Sequence, residues 1–373
     1  MSEYQYYEFQ AVDRPLSSAD QTYLRGLSSR ASVSATRASF VYNYSDFRGD
    51  PEKVLDRCFD MMLYIANFGT RQLMFRFPKN LVKPEVFKPY CIKHCISVST
   101  TEKSTILDIT MNAEDYHAWI DDDGVPLGGL VALREDLLQG DFRALYLAWL
   151  RSGFSEDIDA DPEEMVEPPV PPNLKKLSPA LKELADFFMV DEDLIAAAAT
   201  ESASAQATSE PVEEWLAALS DTERNGYLLR AINGETHIGA ELLLYLRSRY
   251  GQKKTPTGTD AQRTLAELME IAKNKHKERT QKERQAAEKA ERKRLEAIAP
   301  KAETLWKEIS QLVELKQAGP YDRAVAHLKD LRDIAVMQGT ADAFRDRLQT
   351  LQEQYSNRPG FITRLRNAGL LRP

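Results

Sequence analysis

The chain has 373 residues, with 49 Lys and Arg against 57 Asp and Glu for a formal net charge of −8. Its 43% hydrophobic and 28% charged residues fit a water-facing protein with room for two or three domains. No apolar run approaches the roughly 18 residues a bilayer span needs. The opening MSEYQYYEF lacks the basic-then-apolar pattern of a secretory signal. Three cysteines (Cys58, Cys91, Cys95) set up no disulfide framework, so a reducing cytoplasm is the expected compartment.

In chain order, residues 4–12 (YQYYEFQAV) are rich in β-forming aromatics and predict a strand. Ser17 to Asp20 suits a helix start, with the helix running to about Ser28. A second strand is expected from Ala38 to Tyr44. Asp50-Pro51 then opens a helix: the Asp accepts from free amides and Pro fits the first helical position. Val54, Leu55, Cys58, Phe59, Met62 and Ile65 recur at helical spacing, which extends this helix to Gly69. Arg71 to Phe77 alternates as a half-exposed strand. His94–Thr100 and Thr105–Met111, joined by Glu102-Lys103-Ser104, predict a hairpin. The order β-α-β-α-β-β-β implies an α+β sandwich with helices on one face of a mostly antiparallel sheet. Helices at about 127–138 and 141–152 complete an N-terminal module of residues 1–154.

Beyond it the composition shifts. Residues 155–173 are acidic with five prolines, an extended, semi-rigid linker rather than packed structure. Short helices follow at 177–188 and 191–199, and 200–210 (TESASAQATSE) forms a second linker, so 155–212 is treated as one linking region. Within 213–258, Trp215, Leu216, Leu219, Tyr227, Leu228, Ile232, Leu242, Leu243 and Leu246 predict a compact pair of helices. A long helix, 259–299, starts at Asp260; Lys273 to Gln285 contains no apolar residue, so it bridges or meets a charged partner. Its 40 residues from Asp260 reach about 60 Å. Pro300 kinks or restarts it. In 300–373, Leu305, Trp306, Ile309, Leu312 and Val313 form an apolar stripe. Gly319-Pro320 and Gly339 are read as turns within a hairpin of tetratricopeptide type. The fold class is thus an α+β N-terminal module followed by an all-α C-terminal half.

Charge is segregated along the chain. Residues 155–214 hold 16 acidic and 3 basic residues; 247–301 hold 16 basic and 8 acidic. The candidate contact residues are Lys273, Lys275, Lys277, Arg279, Lys282, Arg284, Lys289, Arg292, Lys293 and Arg294. On a rigid rod they neutralise phosphates or meet an acidic protein. The competing reading is a solvated helix held by pairs such as Glu278–Lys282 and Glu288–Arg292.

Chemistry is sparse. Cys91, His94 and Cys95 lie within five residues, but a structural zinc needs a second ligand pair, and His117 stands alone. Asp121-Asp122-Asp123-Gly124 lacks the twelfth-position Glu of a calcium loop, where Ala132 stands. Tyr4, Tyr6, Tyr7 and Phe9 read as core rather than as a base-stacking sheet, since residues 1–154 carry about −3. No phosphate loop, nucleophile elbow or paired-histidine motif occurs. The expectation is a protein with no catalytic residues, no metal and no cofactor, working as an interaction or scaffold protein; nucleic-acid binding through 273–294 is the alternative.

Several stretches resemble a family of uncharacterised bacterial proteins: EYQYYEFQAVDRPLS, GDFRALYLAWL (140–150), EPPVPPNLKKLSPALKELADFF (167–188), EEWLAALSDTERNGYLLRAINGE (213–235) and the region 321–371. The similarity spans nearly the whole chain, and 113–124 departs from it. The resemblance carries no catalytic residue. It implies a genomic setting beside SWIM zinc-finger proteins and AAA+-type ATPases, which makes these the expected partners in a shared bacterial assembly.

Overall fold

The computed structural model describes residues 4–43, 45–113, 127–155, 158, 160–204, 210–235, 238–251 and 263–371. The chain forms two compact units, Met1–His276 and Lys277–Pro373.

The first unit is built on a seven-stranded sheet. Its strands are β1 (Gln5–Gln10), β2 (Ser32–Val33), β3 (Arg37–Tyr42), β4 (Met61–Ala66), β5 (Thr70–Pro78), β6 (Ile96–Thr100) and β7 (Ser104–Asn112). They lie in the order β2-β3-β1-β4-β5-β7-β6, every neighbouring pair antiparallel. Helix α1 (Ser18–Leu27) begins at Ser17, whose side chain accepts from the Asp20 amide. In α2 (Pro51–Cys58), Asp50 accepts from the Glu52 and Lys53 amides. Both starts follow the capping chemistry written in the sequence.

The expected helix from Pro51 to Gly69 is corrected. It stops at Cys58, and Met61–Ala66 is the central strand β4, buried at all six positions. Met61, Leu63 and Ile65 enter one hydrophobic core, and Met62, Tyr64 and Ala66 enter the other. A strand covered on both faces is apolar without alternation, so its spacing mimics a helix. The sheet therefore carries helices on both faces, not on one. Residues of α1 and α2 pack on one side. On the other pack α3 (Ala132–Leu138), α4 (Arg143–Ser152), α5 (Pro179–Phe188) and α6 (Glu192–Ala198).

A buried polar cluster locks α3 to the sheet. Arg134 donates to both Asp13 carboxylate oxygens at 2.8 Å, and its Nε reaches the Arg76 carbonyl at 3.0 Å. Asp60 accepts from the Val12 and Asp13 amides and from Arg76. Burial pushes the Asp60 carboxyl up, against the pull of Arg134.

The acidic, proline-rich stretch is partly packed, with Glu167, Pro168 and Pro171 buried while residues such as Asp161, Glu163 and Glu164 stay exposed, which corrects the reading of a linker without packed structure. Val166 bridges Thr264, and the Tyr90 hydroxyl donates to the Pro169 carbonyl. Glu167 is only 3% exposed. Arg263 clamps it with Nε to Oε2 and Nη2 to Oε1, both 2.8 Å, while the Tyr146 hydroxyl donates to the same carboxylate. Ser202 performs a similar task from 200–204, donating to the Pro171 carbonyl at 2.7 Å and accepting from the Leu174 amide at 3.0 Å. Polar linker composition was legible; the partners that bury it were not.

Residues 212–250 form three helices rather than a pair: α7 (Val212–Ala217), α8 (Asp221–Ile232) and α9 (Ile238–Tyr250). The long helix α10 (Leu265–Ile298) starts later than expected; Asp260 lies outside the described residues, while Arg263 and Thr264 are not helical. The reciprocal bonds Thr264 N to Glu267 Oε2 (2.9 Å) and Glu267 N to Thr264 Oγ1 (3.3 Å) fix this start as a capping box. His117 and the Asp121–Gly124 turn also lie outside the described residues.

In the second unit, a single 3₁₀ turn, Ala299–Lys301, holds Pro300 and restarts the chain as α11 (Ala302–Glu314). Helices α12 (Ala318–Met337), α13 (Ala341–Gln354) and α14 (Pro359–Asn367) follow. α12 packs against the other three, around Trp306, Ile309, Leu328, Leu348 and Phe361. The hairpin turn sits before Gly319-Pro320, at Lys316 with φ 54°, because Pro320 is tolerated in the first helical turn where amides have no partner anyway.

Candidate functional site

The charged helix α10 supplies the ten expected contact residues, all within Leu265–Ile298. Lys273 and Lys275 belong to the first unit and the remaining eight to the second. At 100° per residue the ten are distributed around the helix and do not form one basic face.

Five of the ten cations are held in ion pairs with acids of the described residues. Lys273 lies 3.8 Å from Glu270, Arg279 3.3 Å from Glu283, Arg284 2.9 Å from Glu288 and Arg292 2.9 Å from Glu296. Arg294 contacts Glu291 at 2.7 Å and Asp330 at 2.6 Å. The hydrogen bond from Arg294 holds the Glu291 carboxyl below its ordinary value. Pairing thus follows Arg284–Glu288 and Arg292–Glu296 in place of the anticipated Glu288–Arg292. Each arginine takes the acid four residues on, and Glu288 is already engaged.

Lysines behave differently. Lys277, Lys282, Lys289 and Lys293 have no ion-pair partner among the described residues. Lys282, Lys289 and Lys293 stand at i, i+7 and i+11, within about 40° of one another, along a line of about 16 Å. At the N-terminal part of the helix His276 Nδ1 lies 2.8 Å from a buried Asp193 oxygen.

One surface was missed by sequence reasoning. Leu228 and Ile232, placed in the core of a helix pair, are 59% and 80% exposed, and Leu229 is 60% exposed. No residue of α7 or α8 is buried. The frame of α8 is set by a capping box between Ser220 and Glu223. Positions 228, 229 and 232 then fall within about 100° of one another around the helix, the width of one apolar face. The polar neighbours are internally satisfied: Arg230 binds Glu235 and Glu241, Arg249 binds Glu223, and Arg224 binds Asp221. No signal in the residues marked this face as uncovered, because apolar helical spacing reads the same whether or not a facing element is present.

The remaining chemical candidates are dispersed. Cys95 is buried in the core, Cys91 donates to the Phe87 carbonyl at 3.5 Å, and His94 sits in a left-handed turn with φ 69°. Burial raises the Cys91 thiol above its ordinary value. Among the described residues no group of three or more His, Cys, Asp and Glu side chains is placed to hold a metal ion. Also among the described residues, no helix is long and apolar enough to cross a membrane. No family model, no curated protein and no solved structure matches the chain.

Proposed function

We propose that the chain is a non-catalytic interaction or scaffold protein of the bacterial cytoplasm, engaging another protein through the exposed face of α8. The observation carrying this reading is the apolar trio Leu228, Leu229 and Ile232. Three large apolar side chains grouped on one helix face and surrounded by internally paired charges mark a protein contact. Because those charges need no external counter-ion, the fitting occupant is an apolar helix or groove of a different protein. A SWIM zinc-finger protein or an AAA+-type ATPase is the first partner to test, on the family resemblance.

The test is a triple variant, Leu228→Ser, Leu229→Ser and Ile232→Ser. Its stability should stay within about 1.5 kcal/mol of the parent, at about 0.5 kcal/mol or less for each exposed position. Quantitative co-purification from the native cell should then lose a specific protein that the parent retains. If the folded variant keeps every co-purifying protein, or if the parent instead self-associates in sedimentation and the variant does not, this reading is wrong.

Nucleic-acid binding is the second reading, favoured by the line of Lys282, Lys289 and Lys293. Three neutralised phosphates give a salt slope of only about −2.7 on duplex DNA. Weak binding that disappears at physiological salt is therefore expected. Tight binding there, abolished by changing those three lysines to Gln, would replace the protein-contact reading.

A further inference from the structure

A second charged feature lies in the first unit and is lined by no residue of α8 or α10. A cleft of about 490 Å³ is lined by Arg14, Lys53, Arg57, Arg76 and Lys103, opposed by Asp56 and Glu102. Its cations arrive from four places in the chain. Arg14 follows β1, Lys53 and Arg57 are one turn apart on α2, Arg76 lies on β5, and Lys103 occupies the β6–β7 turn.

Several of these groups are held in place. Arg76 has Nε donating to the Phe59 carbonyl (2.8 Å), Nη1 to Ser104 Oγ (3.2 Å) and Nη2 to Asp60 (3.1 Å). A guanidinium has five N–H groups, so two remain without an acceptor among the described residues. The turn bearing Lys103 is fixed by Thr101 Oγ1, which accepts from the Lys103 and Ser104 amides and donates to Asp56 at 3.4 Å. The Lys79 amide holds the Lys103 carbonyl at 2.9 Å. Arg14 and Lys103 have no ion-pair partner among the described residues. Lys53 pairs with Asp50 at 3.2 Å and Arg57 with Asp20 at 3.1 Å. Both pairs are partly solvent-exposed, so exchanging their acids for an incoming anion costs little.

We propose that this cleft binds the pyrophosphate group of a small phosphorylated ligand. Forked arginine donors beside lysine point charges suit phosphate oxygens, and five cations spread over this volume exceed what one phosphate can reach. Among the described residues no aromatic ring lines the cleft; the nearby Tyr23 ring is covered by Arg57 at 4.1 Å. Recognition therefore falls on the phosphates and not on a base.

The test titrates the full chain calorimetrically with inorganic pyrophosphate, orthophosphate and ADP. Saturable one-to-one binding of pyrophosphate, tighter than orthophosphate, is expected. ADP binding as tightly as pyrophosphate places recognition on the shared group, and tighter ADP binding names a nucleotide as its source. The double variant Arg14→Gln, Lys103→Gln changes only exposed side chains and should weaken binding by about tenfold or more. Glu102→Gln, which removes an opposing charge, should strengthen it. The proposal is overturned by absence of binding, by equal affinity in the double variant, or by an equal loss on changing Lys282, Lys289 and Lys293 to Gln.

Discussion

The clamp on Glu167 offers the sharpest test of the packing argument. Its carboxylate is 3% exposed and Arg263 is 14% exposed at the side chain, with two 2.8 Å charge-assisted bonds between them. Arg263→Ala leaves a buried carboxylate with Tyr146 as its strongest remaining partner. Removing one member of such a buried pair costs about 3–5 kcal/mol. The retained tyrosine bond and the partial exposure of Arg263 place the value near the lower end, at about 3 kcal/mol. The doubly apolar variant Glu167→Met, Arg263→Met no longer buries an unpaired charge and should recover about 2 kcal/mol of that loss. Urea unfolding reports the change, with Trp149 (ring centroid 6.1 Å from Tyr146) as a local fluorophore. Limited proteolysis should also cut 160–173 faster in Arg263→Ala than in the parent. An Arg263→Ala protein as stable as the parent, or a double variant no better than the single one, would refute the clamp.

Two further outcomes follow from the cores. Burial raises the Asp108 carboxyl above its ordinary 3.8, against hydrogen bonds from Gln72 and Thr110. The unfolded chain thus loses this proton first as pH rises, so the group's contribution to stability is complete below pH 3.8 and declines as pH passes through the raised value. Asp108→Asn should flatten that part of the stability–pH curve, and an unchanged curve counts against the assignment. In the second unit, Ile309 is fully buried, and Ile309→Ala should cost about 2–5 kcal/mol. A calorimetric scan should show the transition of residues 277–373 moving down while that of the first unit stays in place; movement of both together would contradict two separately cooperative units.

Local chemistry was legible from residues alone. Ser17 and Asp50 cap helices because short polar side chains satisfy amides within their own turn. The β6–β7 hairpin and the apolar stripe of α11 likewise encode their own geometry over a few residues. The basic composition of α10 was also plain, but which charges remain free was decided by rotamers, with arginines reaching acids and Lys282, Lys289 and Lys293 left along one line. For β4, apolar spacing served helix and strand equally, and only helices on both sides of the sheet decided between them. Glu167 carries no sign in sequence that Arg263, 96 residues away, will bury and neutralise it. Leu228 and Ile232 show the converse: their apolarity predicted a core, yet burial requires a facing element, and none among the described residues covers them. Sequence determined what each segment could offer over a turn or a hairpin; tertiary structure decided what met it, because burial belongs to pairs of surfaces.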